Sequence, residues 1–139
     1  MSRRTSREHA IQALYECEFH QDQEEQVIQR RGSSLQGDDA QFYLDLVQGI
    51  QEQQASIDPV IQRFLKEGWS LSRIPTVDRA ILRLAVYELL YQPETPQGAI
   101  LNEAVDLGKF FSSEESGRFI NGVLGMVVKE INQIKAEIE

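Results

Sequence analysis

Apolar residues recur at intervals of three and four along most of the 139-residue chain, and no segment alternates apolar with polar side chains as a half-buried strand must. A chain patterned this way has no source for a sheet, so the predicted fold is all-α. Each apolar stripe needs another helix to cover it, and six to seven helices of ordinary length pack as two helical bundles. A hydrophobic content of 41% over this length is enough for one domain spanning residues 1–139. Its subdomains are read as about 1–68 and 69–139, with the boundary between Gly68 and Pro75.

Local signals place the elements. Thr5 and Glu8 stand in capping-box spacing, so the first helix is expected to open near Thr5 or Ser6 and run through Ala10, Ala13, Leu14 and Cys17 to about Gln21. A short acidic helix follows around Glu24 to Arg31. After the loop Gly32 to Gly37, Asp38 or Asp39 can cap a helix that buries Phe42, Leu46, Gly49 and Ile50 and ends or bends before Pro59. Pro59 suits the first turn of a further helix, with Gly68 as its stop. The next helix covers Val77 to Tyr91 after Pro75 and Thr76, and another covers Gly98 to Phe111. Ser112 and Glu115 form a second capping box ahead of a last helix from roughly Ser116.

The net charge of −8 argues against nucleic acid, because phosphate binding draws on Lys and Arg. Its distribution changes that conclusion. Residues 1–15 carry Arg3, Arg4 and Arg7 against Glu8 alone, whereas residues 16–56 carry nine acids against two bases. A helix N-terminus disfavours cations, so arginines crowded there oppose local stability unless an anion joins them. A phosphate ligand is therefore read for this arm, with a solvated arm as the alternative. Arg79 and Arg83, four apart on one helical face, extend the positive surface or tether helices. Tyr15 and Tyr87 have rings that can stack on RNA bases, but their place beside apolar stripes favours core.

Catalytic and metal-site signatures are missing. His9, Cys17 and His20 lie along one predicted helix, which rarely closes a four-ligand site, so a structural or solvated role is expected and no metal or cofactor is read. Cys17 has no partner for an internal disulfide and reads as a small buried hydrophobe. The sequence contains no glycine-rich phosphate loop, nucleophile elbow or His-Glu metal motif, and no catalytic residues are assigned. Without a run of eighteen apolar residues or a secretory signal region after Met1-Ser2-Arg3-Arg4, a cytoplasmic protein is expected.

Two apolar patterns carry polar groups that propensity does not explain: Ile100-Leu101-Asn102-Glu103-Ala104-Val105-Asp106-Leu107 and Arg118-Phe119-Ile120-Asn121-Gly122-Val123-Leu124. Asn102-Glu103 and Asn121-Gly122 are read as a tertiary lock between the last two long helices. Phe119, rimmed by Glu115, Ser116 and Arg118, reads from pattern as core, with an exposed protein-binding anchor as the alternative.

With Asp78 to Leu89 and Arg7 to Tyr15, these blocks stand in the order found in the NusB family of transcription antitermination factors, which the chain resembles over most of its length. The resemblance implies an all-helical RNA-binding protein without catalysis. It implies pairing with NusE, a small-subunit ribosomal protein, and joint binding of boxA RNA in nascent ribosomal RNA transcripts within the elongation complex of RNA polymerase. It carries RNA contact to Arg3, Arg4 and Arg7, with Gln12 and Tyr15 on the following turns and Arg79 and Arg83 in a second line. It carries the NusE surface to Asp78, Glu115 and Phe119, which raises the anchor reading of Phe119 above the core reading. Ile100-Leu101 before Asn102 departs slightly from the Ile or Val frequent there, and the arm holds three arginines but no lysine.

Two rivals stay open at this point. The RNA-binding domain of ribosomal RNA cytosine methyltransferases also resembles NusB, although those chains continue into a methyl-donor-binding domain and this sequence ends at Glu139. A protein-interaction scaffold without RNA binding is the other, and the periodicity leaves a homodimer undecided.

Overall fold

The computed structural model describes residues 3–138, which form seven α-helices, two short 3₁₀ turns and no strand among the described residues. In chain order the helices are α1 (Arg3–Phe19), α2 (Glu24–Arg31), α3 (Gly37–Arg63), α4 (Thr76–Tyr91), α5 (Gln97–Phe111), α6 (Glu114–Lys129) and α7 (Ile131–Ile138). The all-helical expectation holds. α4 is buried on nearly every side, from Ala80 through Leu89 with only Arg83 partly exposed, and such a helix has to run through the middle of the protein. It packs against α1, α3, α5 and α6, so one continuous core links the elements on both sides of it.

Two element boundaries differ from the sequence reading. Pro59 does not open a helix; it lies inside α3, which runs for 27 residues. An interior proline costs a helix about 3 kcal/mol through its missing N–H and its ring. Here the ring is exposed, while Ile57 and Ile61 on either side are fully buried. Burying two such side chains contributes roughly 1.5–3 kcal/mol each, so packing holds the helix together across the proline. At the start of α1, Glu8 accepts from Arg4 Nε at 3.0 Å rather than closing a capping box, and helix begins by Arg3.

The cap of α6 is displaced by one residue from its expected position. Ser113, not Ser112, accepts the N–H of Ser116 at 3.0 Å, and Glu114 and Glu115 follow in the first turn, where the helix dipole favours acids.

The expected lock at Asn121-Gly122 is not there. Both residues are exposed, and a Cβ on Gly122 would meet nothing within 4 Å. The close approach of α5 and α6 occurs instead at Gly108 and Gly117: a Cβ on Gly108 would lie 2.7 Å from Ile120 Cδ1, and one on Gly117 would lie 3.3 Å from the Val105 carbonyl oxygen. Glu103, the other half of the expected lock, ties α5 to α1 rather than to α6.

α2 buries Val27 and Ile28 in the core and is also joined to α1 by charge. Glu16 receives Arg31 Nε at 2.8 Å and also pairs with Arg30. These hydrogen bonds, Arg30 first and Arg31 second, hold the Glu16 carboxyl down to about 2 from an ordinary 4.5. A lowered carboxyl pKa stabilises the fold above the ordinary value, and that contribution is lost as pH falls from about 4.5 toward 2. Glu16→Gln should therefore lower the urea midpoint at pH 6, and the gap from the unaltered chain should close as the pH approaches 2. A gap of constant size across that range would remove the clamp from the acid response.

Candidate nucleic-acid and protein-docking surfaces

The arginines at the start of α1 occupy three different environments. Arg3 is exposed, with its guanidinium carbon 4.0 Å from the centroid of the Phe42 ring. Arg4 is half-buried, donates to Glu8 and lies 3.7 Å from a Glu103 oxygen. Arg7, one turn on, is 5% exposed and spends its charge inside the protein. Its Nε and Nη2 donate to the two oxygens of Glu88, each at 2.8 Å, and its Nη1 lies 3.5 Å from Glu103. Burial draws the Arg7 pKa down, but the Glu88 hydrogen bonds and the charges of Glu88 and Glu103 outweigh it and leave the pKa raised. The reading of Arg7 as a solvent-facing phosphate ligand is corrected, because a fork already closed on a buried carboxylate has no face left for a polyanion.

Further along α1, Gln12 is half-buried and Tyr15 is 41% exposed, with the Phe19 ring 5.1 Å from its own. Tyr15 thus lies at the surface, against the core preference of pattern alone. Phe19 is 60% exposed and has no role in the sequence reading, although its spacing of four from Tyr15 places both on one face. Tyr87 does belong to the core, where its hydroxyl occupies the space a side chain at Gly49 would need. Arg4, Glu8, Gln12, Tyr15 and Phe19 form one stripe along α1.

Arg79 and Arg83 point into the fold rather than out of it. Arg79 donates to Glu18 at 2.9 Å and to the carbonyls of Leu71 and Ile74 at 3.1 and 3.2 Å. Arg83 makes a two-pronged pair with Asp58 at 2.8 and 2.9 Å and reaches Glu18 at 3.1 Å. Burial works to lower the Arg83 pKa, and the Asp58 and Glu18 carboxylates leave it raised. Both arginines join α4 to α1, and Arg83 adds α3. The helix-tethering alternative describes their geometry, with Glu18 and Asp58 as the carboxylates that hold them.

Asp78, Glu115 and Phe119 converge on one groove of about 780 Å³, walled by Phe64, Leu65, Trp69, Ile74 and Val123. Phe119 is half-buried in the wall, and Trp69 is largely exposed at the rim. Asp78 is 3% exposed; its Oδ2 accepts from the Ser116 hydroxyl at 3.1 Å, while its Oδ1 is buried and has no hydrogen-bond partner. Burial pushes the Asp78 carboxyl above the usual range, with the Ser116 bond opposing. The connector that builds one wall turns at Gly68, whose φ of 88° lies in the left-handed region. It is fixed by Gln62, which donates to the Trp69 carbonyl at 2.8 Å and accepts the Leu71 N–H at 2.9 Å. Gln62 carries no sequence signal, since its role depends on a chain reversal that periodicity cannot register.

His9 and Cys17 have structural employment. His9 Nδ1 lies 2.6 Å from the Arg31 carbonyl oxygen, and Cys17 is buried, which pushes its thiol up to about 11.

A family model described as the NusB family matches residues 4–129. The chain belongs to the NusB family. Transcription antitermination protein NusB of Acetivibrio thermocellus is 47% identical over 131 residues, covering 93% of this chain and 90% of that protein. The Bacillus cereus protein of the same name is 43% identical over 127 residues, covering 91% and 97%. Among solved structures, T. maritima NusB superposes with a TM-score of 0.88 at 36% identity, covering 94% of this chain and 92% of that one. A chain in the crystal structure of antitermination factors NusB and NusE in complex with dsRNA gives a TM-score of 0.79 at 27% identity, covering 91% and 96%. NusB is a family of transcription antitermination factors rather than of enzymes. No described helix of this NusB-family chain is long and apolar enough to cross a membrane.

Proposed function

We propose that this NusB antitermination factor pairs with NusE through the Asp78–Glu115–Phe119 groove and, with it, binds boxA RNA of nascent ribosomal RNA transcripts within the elongation complex of RNA polymerase. The observation that carries the reading is the convergence of Asp78, Glu115 and Phe119 on one largely apolar groove, in a chain similar to a NusB solved with NusE and RNA.

RNA contact falls to Arg4, Gln12 and Tyr15 on the α1 stripe and to Arg3, exposed at the start of the helix. Arg7, Arg79 and Arg83 act one step back: each holds a carboxylate and fixes the angle of α1 or the groove wall. With an overall charge of −8 and Arg4 paired with Glu8 and Glu103, affinity for RNA alone is expected to be weak and partner-dependent.

The test is binding to boxA RNA and to a scrambled control, with and without NusE, across a salt series. Sequence-selective binding strengthened by NusE is expected. Arg3→Gln with Arg4→Gln should weaken RNA binding and flatten the dependence of log affinity on log salt by about 1 to 2, one for each phosphate no longer neutralised. NusE affinity should be untouched. No selective binding under either condition would leave a helical docking module without an RNA role.

A further inference from the structure

Periodicity gives Phe110 no role. It is nonetheless 65% exposed, the highest value among the large hydrophobic side chains at the described surface. The fold does not need it there. Phe111 next to it is half-buried against the core and holds the Phe110 ring edge-on, with centroids 5.0 Å apart and planes at 78°. The other neighbour is Arg4, whose guanidinium carbon lies 5.9 Å from the Phe110 centroid. Arg4 is restrained there by Glu8 at 3.0 Å and Glu103 at 3.7 Å, so the cation stays beside the ring instead of sampling solvent. Lys109, at the preceding position, is exposed but lies along α6 at Gly117 rather than at the Phe110 ring.

We propose that Phe110, with Arg4 beside it at the C-terminal end of α5, is a stacking site for one base of single-stranded RNA, lying beside the N-terminal end of the α1 stripe. The inference deepens the RNA-binding reading above and rests on it. An isolated aromatic ring with a neighbouring guanidinium offers a π-face and a cation, the two features by which unpaired bases and their phosphates are held. A protein partner would call for a broader apolar surface, and that surface is the groove around Phe119, which shares no lining residue with this site. The charges nearby set the character of binding. Glu8 and Glu103 face Arg4, Glu103 and Glu88 face Arg7, and Asp106 lies one turn before Phe110, so the cations are largely balanced. Stacking must then supply most of the attraction.

That balance gives the site a distinct signature in binding to a boxA RNA oligonucleotide in the presence of saturating NusE. Phe110→Ala should weaken RNA binding by about 5- to 100-fold, the range for loss of one stacked base. The slope of log affinity against log salt should stay that of the unaltered chain, since every cation that meets a phosphate is still present. Phe110→Trp should retain affinity and Phe110→Leu should not, because the requirement is a π-face and not apolar area. The exposure of Phe110 leaves all three variants free to fold, which thermal melting checks. RNA affinity unchanged in Phe110→Ala, while the unaltered chain binds, would overturn the stacking site and leave the RNA reading standing. Failure of the unaltered chain to bind would overturn both. Loss of NusE affinity in Phe110→Ala without loss of RNA affinity would assign the ring to a protein interface and overturn the proposal.

Discussion

Glu88→Leu is expected to destabilise the protein by about 3–5 kcal/mol, because it strips the acceptor from an arginine that stays buried. Glu88 is 1% exposed, and both its oxygens are engaged by Arg7 at 2.8 Å. With Glu88 gone, Arg7 keeps only Glu103, 3.5 Å away and too distant for a good charge-assisted bond. For a chain of this length the loss corresponds to a fall in Tm of about 10–20 °C. The pair itself is a different quantity from the cost of breaking it. Two charges removed from water lose most of what their attraction returns, so Arg7→Met with Glu88→Leu should recover most of the lost stability. Thermal and urea unfolding of the two single variants and the double variant close the cycle. A single-variant loss under about 1 kcal/mol, or a double variant no better than Glu88→Leu, would show that the pair is not the joint described here.

The same pair marks where the sequence stops being informative. The helices follow from periodicity, and most of their ends follow from Pro75, Pro96, Gly32 and the serines before α6, because these signals are local. Arg7 and Glu88 are separated by 81 positions, and nothing near either announces the other. An arginine in a basic N-terminal run therefore looks like part of a solvated arm until the fold turns it inward. Arg79 and Arg83 are similar: their spacing of four shows that they share a face, but not that Glu18 and Asp58 lie opposite it. Pro59 fails for the complementary reason. Its local signal is strong, and long-range burial of Ile57 and Ile61 overrides it. Asn121-Gly122 suggests a close approach because glycine permits one, whereas the helices meet at Gly108 and Gly117, which look no different in sequence. The groove is legible residue by residue only through family resemblance. Its walls come from the connector after α3, from α4 and from α6, and only the fold assembles them.

Phe119→Ala is expected to cost about 2 kcal/mol or more in NusE binding, roughly a 30-fold loss of affinity, while leaving the fold intact. Phe119 is half-buried in a groove wall with Phe64, Leu65 and Trp69, whereas Ile120 beside it is fully buried and packs against Gly108. Successive residues of one helix thus face different partners, Ile120 the interior and Phe119 the groove. Ile120→Ala should cost about 2–5 kcal/mol of stability through the cavity it leaves. Phe119→Ala should fall well below Ile120→Ala in unfolding experiments and well above Ile120→Ala in its effect on NusE affinity. Titration calorimetry with NusE, paired with thermal melting of both variants, separates the two roles. If Phe119→Ala melts like Ile120→Ala, the ring belongs to the core and its effect on binding is indirect; if it melts normally and binds NusE normally, the groove is not the docking surface. Asp78 lines the same groove as Phe119 and is nearly fully buried. Asp78→Asn should then melt no lower than the unaltered chain yet bind NusE more weakly, since the change relieves a buried charge and weakens the acceptor.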